Sequence, residues 1–237
     1  MTIFLLLILS GFSAREAESL YFSPIDLEID SQINQLYLAG KSSHEIRSYA
    51  LPDLSTSFSY TSSLPPKALK IAGKNLLVAC SHSEGELLVL NKQSLELVSR
   101  IGVGAGACDV EVSPDLKRAY VANQYSNDIS VIDLFNKKEI ARIPVLRQPK
   151  QLVISGKGPY LFVANFLPAG RADVDTVSSE VTVIDLQTLK PVKHIALANG
   201  SNALRGMCLS SDGRFVLVTQ NLGRFQVPTT QLEQGWM

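Results

Sequence analysis

Ser113-Pro114-Asp115-Leu116-Lys117-Arg118-Ala119-Tyr120-Val121-Ala122-Asn123, with Ile129-Ser130-Val131-Ile132-Asp133 after it, is the stretch whose reading decides the fold. A Ser-Pro-Asp turn signal precedes a short apolar run ending on a small residue. A polar loop then leads to a second run with period-2 alternation and β-branched residues. The pattern returns along the chain as Leu36-Tyr37-Leu38-Ala39, Leu77-Val78-Ala79, Tyr120-Val121-Ala122, Phe162-Val163-Ala164 and Leu217-Val218-Thr219. The closing small residues stand at 39, 79, 122, 164 and 219, at intervals of 40, 43, 42 and 55, the last lengthened by an insertion.

Other features keep the same phase. An alternating strand precedes each turn: Leu27-Glu28-Ile29, Leu69-Lys70-Ile71, Val110-Glu111-Val112, Leu152-Val153-Ile154 and Met207-Cys208-Leu209. A third strand follows each triplet, as in Leu87-Leu88-Val89-Leu90 and Val181-Thr182-Val183-Ile184-Asp185, and a fourth follows that, as in Glu139-Ile140-Ala141-Arg142-Ile143. Four short strands repeating every 40 to 45 residues are the signature of propeller blades. Each blade is a small sheet that covers its faces only against its neighbours. The reading is therefore all-β: a β-propeller of four-stranded antiparallel blades of about 42 residues, spanning 24–64, 65–106, 107–148, 149–202 and a partial 203–237. Self-similarity in one phase over four intervals argues against a β-sandwich.

The stretch 113–123 with 129–133, repeated in Tyr160-Leu161-Phe162-Val163-Ala164-Asn165 and 181–185, resembles the YVTN-type β-propeller repeat of surface-layer and exported bacterial proteins. The resemblance covers about residues 24–237, strongest in the third and fourth units. It implies closure with about seven blades, so the chain is expected to be a fragment of a longer protein. The same expectation rests on open strand edges at both ends, which invite edge pairing or oligomerisation. Similar propellers can carry a C-terminal c-type cytochrome. This chain has no Cys-x-x-Cys-His, so no cofactor is expected within it and haem only in a further C-terminal domain.

Twenty-two basic and 22 acidic residues in 237 give zero net charge, which argues against a generic polyanion or nucleic-acid binder; 46 % hydrophobic residues argue against disorder. No apolar run reaches the ~18 residues of a membrane span. Ile3–Leu9, followed by small and then charged residues, reads as a signal peptide over 1–19, leaving 20–237 as the propeller and placing the protein in the periplasm or at the cell surface.

In a propeller, the loop entering the first strand and the loop between the second and third strands emerge on one face. The position before the inner strand reads Lys67, Cys108, Lys150 and Arg205, three of four basic, with Asp109 and Gln151 beside them. These residues, with Asn123 and Arg171 from the neighbouring loops, form the expected site for a protein or carbohydrate partner carrying anionic groups. His44 and His82 lie in equivalent loops, and Asp173 and Asp175 lie in the insertion; these four are the metal candidates, but no close ligand pair supports them. Cys80 and Cys108 fall on one face of neighbouring blades and raise the question of a disulfide, while Cys208 reads as a packing residue. Gly102-Val103-Gly104-Ala105-Gly106 links an outer to an inner strand, so it reads as a tight crossover and not as a phosphate loop. No catalytic motif appears. The expectation is a non-enzymatic binding module. The alternatives are a propeller docking a cytochrome domain or electron carrier and, on fold analogy alone, a lactonase-like hydrolase.

Overall fold

The computed structural model describes residues 22–81, 85–156, 158–171, 174 and 176–222, excluding the side chains of Leu77, Ala79, Cys80 and Ser81. The signal-peptide stretch, His82, Asp173 and Asp175 lie outside the described residues.

The described residues form 18 strands. β1 (Pro24–Asp30), β2 (Gln35–Gly40), β3 (Glu45–Ala50) and β4 (Thr56–Thr61) make the first four-stranded sheet. β5 (Pro66–Ala72), β6 (Asn75–Ser81), β7 (Gly85–Asn91) and β8 (Leu97–Val103) make the second. The third comprises β9 (Ala107–Val112), β10 (Arg118–Asn123), β11 (Asp128–Asp133) and β12 (Lys138–Pro144). The fourth comprises β13 (Pro149–Ile154), β14 (Tyr160–Asn165), β15 (Glu180–Asp185) and β16 (Lys190–Ala196), and β17 (Ser201–Leu209) pairs with β18 (Val216–Leu222). Every sheet is an antiparallel meander in chain order.

The first strands contact one another in series, β1 on β5, β5 on β9, β9 on β13 and β13 on β17, while β12 touches β8 and β16 at the periphery. The sheets therefore radiate from an axis lined by their first strands. This is a β-propeller. Burial follows from the geometry: β11 and β15 are covered on both faces and buried through their central four residues, whereas peripheral β16 is exposed along its length. Four apolar clusters fill the four junctions. Tyr37, Ile46, Leu69 and Leu88 fill the first; Leu87, Ile101, Val110 and Val121 the second; Tyr120, Ile143, Leu152 and Leu161 the third; and Val153, Val181, Leu204 and Met207 the fourth.

The repeated small residues have a common structural address. Ala39, Ala79, Ala122, Ala164 and Thr219 pair with Asp26, Ala68, Asp109, Gln151 and Gly206 of the adjacent inner strands. The glycine-rich crossover also has a physical reason. A Cβ on Gly104 would stand 2.5 Å from the Asn123 amide nitrogen, and Gly106 combines a φ of +75° with a Cβ position 2.6 Å from the Tyr125 ring. Cys208 departs from the packing role expected of it: its side chain is exposed on the axial strand.

Candidate functional site at the channel mouth

Each inner strand carries an irregularity at the same end. The register of β1 slips between Pro24 and Asp26, of β5 between Pro66 and Ala68, and of β13 between Pro149 and Gln151. In β9 the slip falls opposite Ala122 and Asn123. The extra residues are Ile25, Lys67, Cys108 and Lys150. A bulge twists a strand and re-aims a side chain, a device common beside functional sites. In β17 the break is wider, between Asn202 and Gly206, and Arg205 falls within it. Residues that read as the position before the inner strand are thus the bulges themselves.

Lys67 and Lys150 converge at this mouth together with Lys41, which follows β2. Burial of Lys67, and then the charges of Lys41 and Lys150, hold its ammonium below the ordinary lysine range. Lys150 Nζ donates to Gln124 Oε1 at 3.4 Å, and Gln124 Nε2 donates to Gln148 Oε1 at 3.3 Å. Among the described residues no carboxylate pairs with Lys41, Lys67 or Lys150. Three rim carboxylates are engaged elsewhere. Glu45 meets Arg47 at 2.6 Å, Glu86 meets Arg100 at 3.0 Å, and Asp128 lies 3.9 Å from Arg142. All three stand one residue before the partner of the repeated alanine on the third strand, a position that Glu180 holds in the fourth sheet, so arginines pair with three rim acids while the central lysines have no carboxylate partner among the described residues.

Below the mouth the axial channel, with a volume of about 410 Å³, changes sign. Asp26, Glu28, Asp109 and Glu111 line it with Lys70, whose Nζ lies 3.1 Å from Glu111 and 3.7 Å from Glu28. Burial raises the carboxyls of Asp26 and Glu28, and pushes that of Asp109 up to about 7.

Several of the remaining expected site residues serve the fold. Asp109 accepts the Leu152 N–H of the next sheet at 2.7 Å and the Val110 N–H at 2.9 Å. Gln151 accepts the Met207 N–H at 2.7 Å, and Asp26 accepts the Leu69 N–H at 2.7 Å. These are clasps between neighbouring sheets. Asn123 is fully buried, donating to Asp128 at 2.6 Å and Ser130 at 2.8 Å, and is not presented to solvent. Its counterpart Asn165 binds Glu180 O and Thr182 in the same way. Cys108 is a free thiol directed at the carbonyls of Pro149 and Ala122, and burial pushes it up to about 12. The Cys80 side chain lies outside the described residues. Arg205 sits over the Phe166 ring at 5.3 Å, and the Phe166 N–H donates to Gln148 O at 2.8 Å. Arg171 is exposed in the insertion, and His44 occupies the β2–β3 turn with a φ of 56°. Among the described residues no group of three potential metal ligands occurs, and no helix is long and apolar enough to cross a membrane.

Fold and axial geometry define the class: an all-β propeller with a basic mouth over an acidic channel. No family model matches the chain. Among curated proteins it is 28 % identical over 169 residues to Antigen Lp49 of Leptospira interrogans, covering 66 % of this chain and 36 % of that protein. Among solved structures, Kuenenia stuttgartiensis hydrazine synthase superposes with a TM-score of 0.77 at 20 % identity, covering 88 % of this chain and 58 % of that one. The chain thus spans about a third of the antigen and under two thirds of the synthase chain.

Proposed function

We propose that this propeller is an exported, non-enzymatic binding module of the YVTN-repeat type, with a leader over 1–19 and no cofactor of its own. Its mouth face holds a protein or carbohydrate partner through acidic groups. One observation carries the reading: Lys41, Lys67 and Lys150 collect at the channel mouth without a carboxylate partner among the described residues, while the rim acids Glu45, Glu86 and Asp128 are taken by arginines. Gathering like charges costs free energy, and an anionic ligand relieves that cost. The name of the antigen to which the chain is similar supports display outside the cell. The test is titration of the wild type and of a Lys67→Gln/Lys150→Gln variant with oligoglutamate and with a sulfated oligosaccharide at two ionic strengths. Expected is binding that weakens with salt and falls tenfold or more in the variant, since exposed charge interactions are screened over ~8–10 Å. Equal binding by the variant, or no binding of either anion, rejects the reading.

A further inference from the structure

The surroundings of the lysines carry more than a sign of charge. Tyr125 directly follows Gln124, the residue whose amide accepts from Lys150, and is 62 % exposed, one of the most exposed large side chains of the described residues. Its position is fixed from below. The Tyr125 N–H donates to Ala105 O at 3.0 Å, the Gln124 N–H donates to Gly106 O at 3.0 Å, and the ring lies against Gly106, where any Cβ would collide. Gly106 is two residues from the bulged Cys108, and the Cys108 thiol faces the carbonyls of Pro149 and Lys150. The ring, the bulges and Lys150 therefore belong to one small region.

Amides extend from the charge of Lys150. Lys150, Gln124 and Gln148 form a hydrogen-bonded chain, and the Gln148 N–H is held by Asn127 Oδ1 at 2.7 Å. Each side-chain amide has both donor and acceptor capacity, which suits hydroxyls as well as carbonyls. A rigid exposed aromatic ring offers large contact area at little conformational cost. The core of a protein–protein patch is usually apolar and poor in charge. Here the face holds three ammonium groups and an amide chain, with the exposed Tyr125 ring next in sequence to Gln124.

We infer that the mouth takes an acidic oligosaccharide, its carboxylate or sulfate among Lys41, Lys67 and Lys150, its hydroxyls on Gln124 and Gln148, and one sugar ring stacked on Tyr125. The inference rests on the anion-binding reading above and narrows it to one class of partner. An acidic peptide would use the lysines and have no need of the ring.

The experiment compares oligogalacturonate, oligoglutamate and inorganic sulfate as probes of the wild-type chain and of Tyr125→Ala, Tyr125→Phe and Lys67→Gln/Lys150→Gln variants, by calorimetric titration. Circular dichroism checks that each variant is folded. Expected is tighter binding of oligogalacturonate than of oligoglutamate, a five- to twentyfold loss for Tyr125→Ala, and near-complete retention by Tyr125→Phe, which keeps the ring. Oligoglutamate and sulfate should be indifferent to Tyr125. If oligogalacturonate and oligoglutamate both depend on the lysines but not on Tyr125, or oligoglutamate binds tighter, the carbohydrate inference falls and the anion-binding reading stands. If no probe depends on the lysines, both fall. A loss of fold in Tyr125→Ala leaves the decision to Tyr125→Phe and to the ranking of the probes.

Discussion

The junction between the second and third sheets differs from the other three. At the first, third and fourth junctions a side-chain acceptor on one inner strand takes a backbone N–H of the next: Asp26 from Leu69, Asp109 from Leu152, Gln151 from Met207. The equivalent residue of the second sheet is Ala68, which has no acceptor. There the orphaned Val110 N–H turns to the Asp109 carboxylate of its own strand. Asp109 therefore serves two donors, one for the missing clasp and one for its own. The role recurs along the repeat while the residue changes among Asp, Ala and Gln. A buried backbone donor must find a partner, and the nearest acceptor is recruited when the regular one is absent.

The sharpest way to break this comparison is Asp109→Ala. It strands two enclosed donors, each costing about 1–3 kcal/mol, so urea denaturation should show a loss of about 2–6 kcal/mol. Gln151→Ala strands one and should cost about 1–3 kcal/mol in the same assay. A loss for Asp109→Ala no larger than that for Gln151→Ala would remove the double role.

A second contrast lies on the same strands. Leu152 is 1 % exposed in its junction, while its counterpart Leu27 on β1 is 50 % exposed. Leu152→Ala should cost about 2–4 kcal/mol through lost burial and a residual cavity. Leu27→Ala in this chain should stay within about 0.5 kcal/mol, as surface changes do. Similar costs would mean that β1 is covered in solution.

The smallest effect is a pH slope. Burial lifts Asp109 to about 7 from an unfolded value of ~3.9, so the native state holds the extra proton between those values. Its contribution to stability is therefore fully present below about pH 4 and fades as pH rises through 7. Asp30, at the opposite end of its inner strand, is lowered by its hydrogen bond from Lys92 and behaves in reverse: its contribution is present above the unfolded value and fades as pH falls through the lowered folded one. Denaturation between pH 5 and 8 should show the first slope in the wild type and not in Asp109→Asn. A variant with an unchanged slope would assign it to another group.

The fold was legible because one small residue per sheet must face the inner strand at the same register, and that constraint repeats at 39, 79, 122, 164 and 219. The site was legible in part. Lys67 and Lys150 occupy a position that a bulge turns toward the mouth, so their repeat phase carried the information. Lys41 was hidden because it belongs to a loop, while the matching bulge of its sheet holds Ile25. Asn123 reads as a loop residue because it follows the strand triplet, yet hydrogen bonds to Asp128 and Ser130 draw it inside. Asp109 and Gln151 read as mouth residues because sequence does not show a bond that crosses to the next sheet, 43 residues away for Asp109 and 56 for Gln151. The rim acids Glu45, Glu86 and Asp128 share one phase, a signal that identifies their arginine pairing only once the strands are in register.

The unmatched lysine cluster is the central feature of the mouth, and the ammonium of Lys67 reports on it directly. Its pKa is measurable by NMR titration of the 13Cε resonance. Expected is a value below the ordinary ~10.4 in the free protein, rising when the mouth is saturated with a sulfated oligosaccharide. A value at or above the ordinary one, unmoved by the anion, would contradict the unmatched cluster.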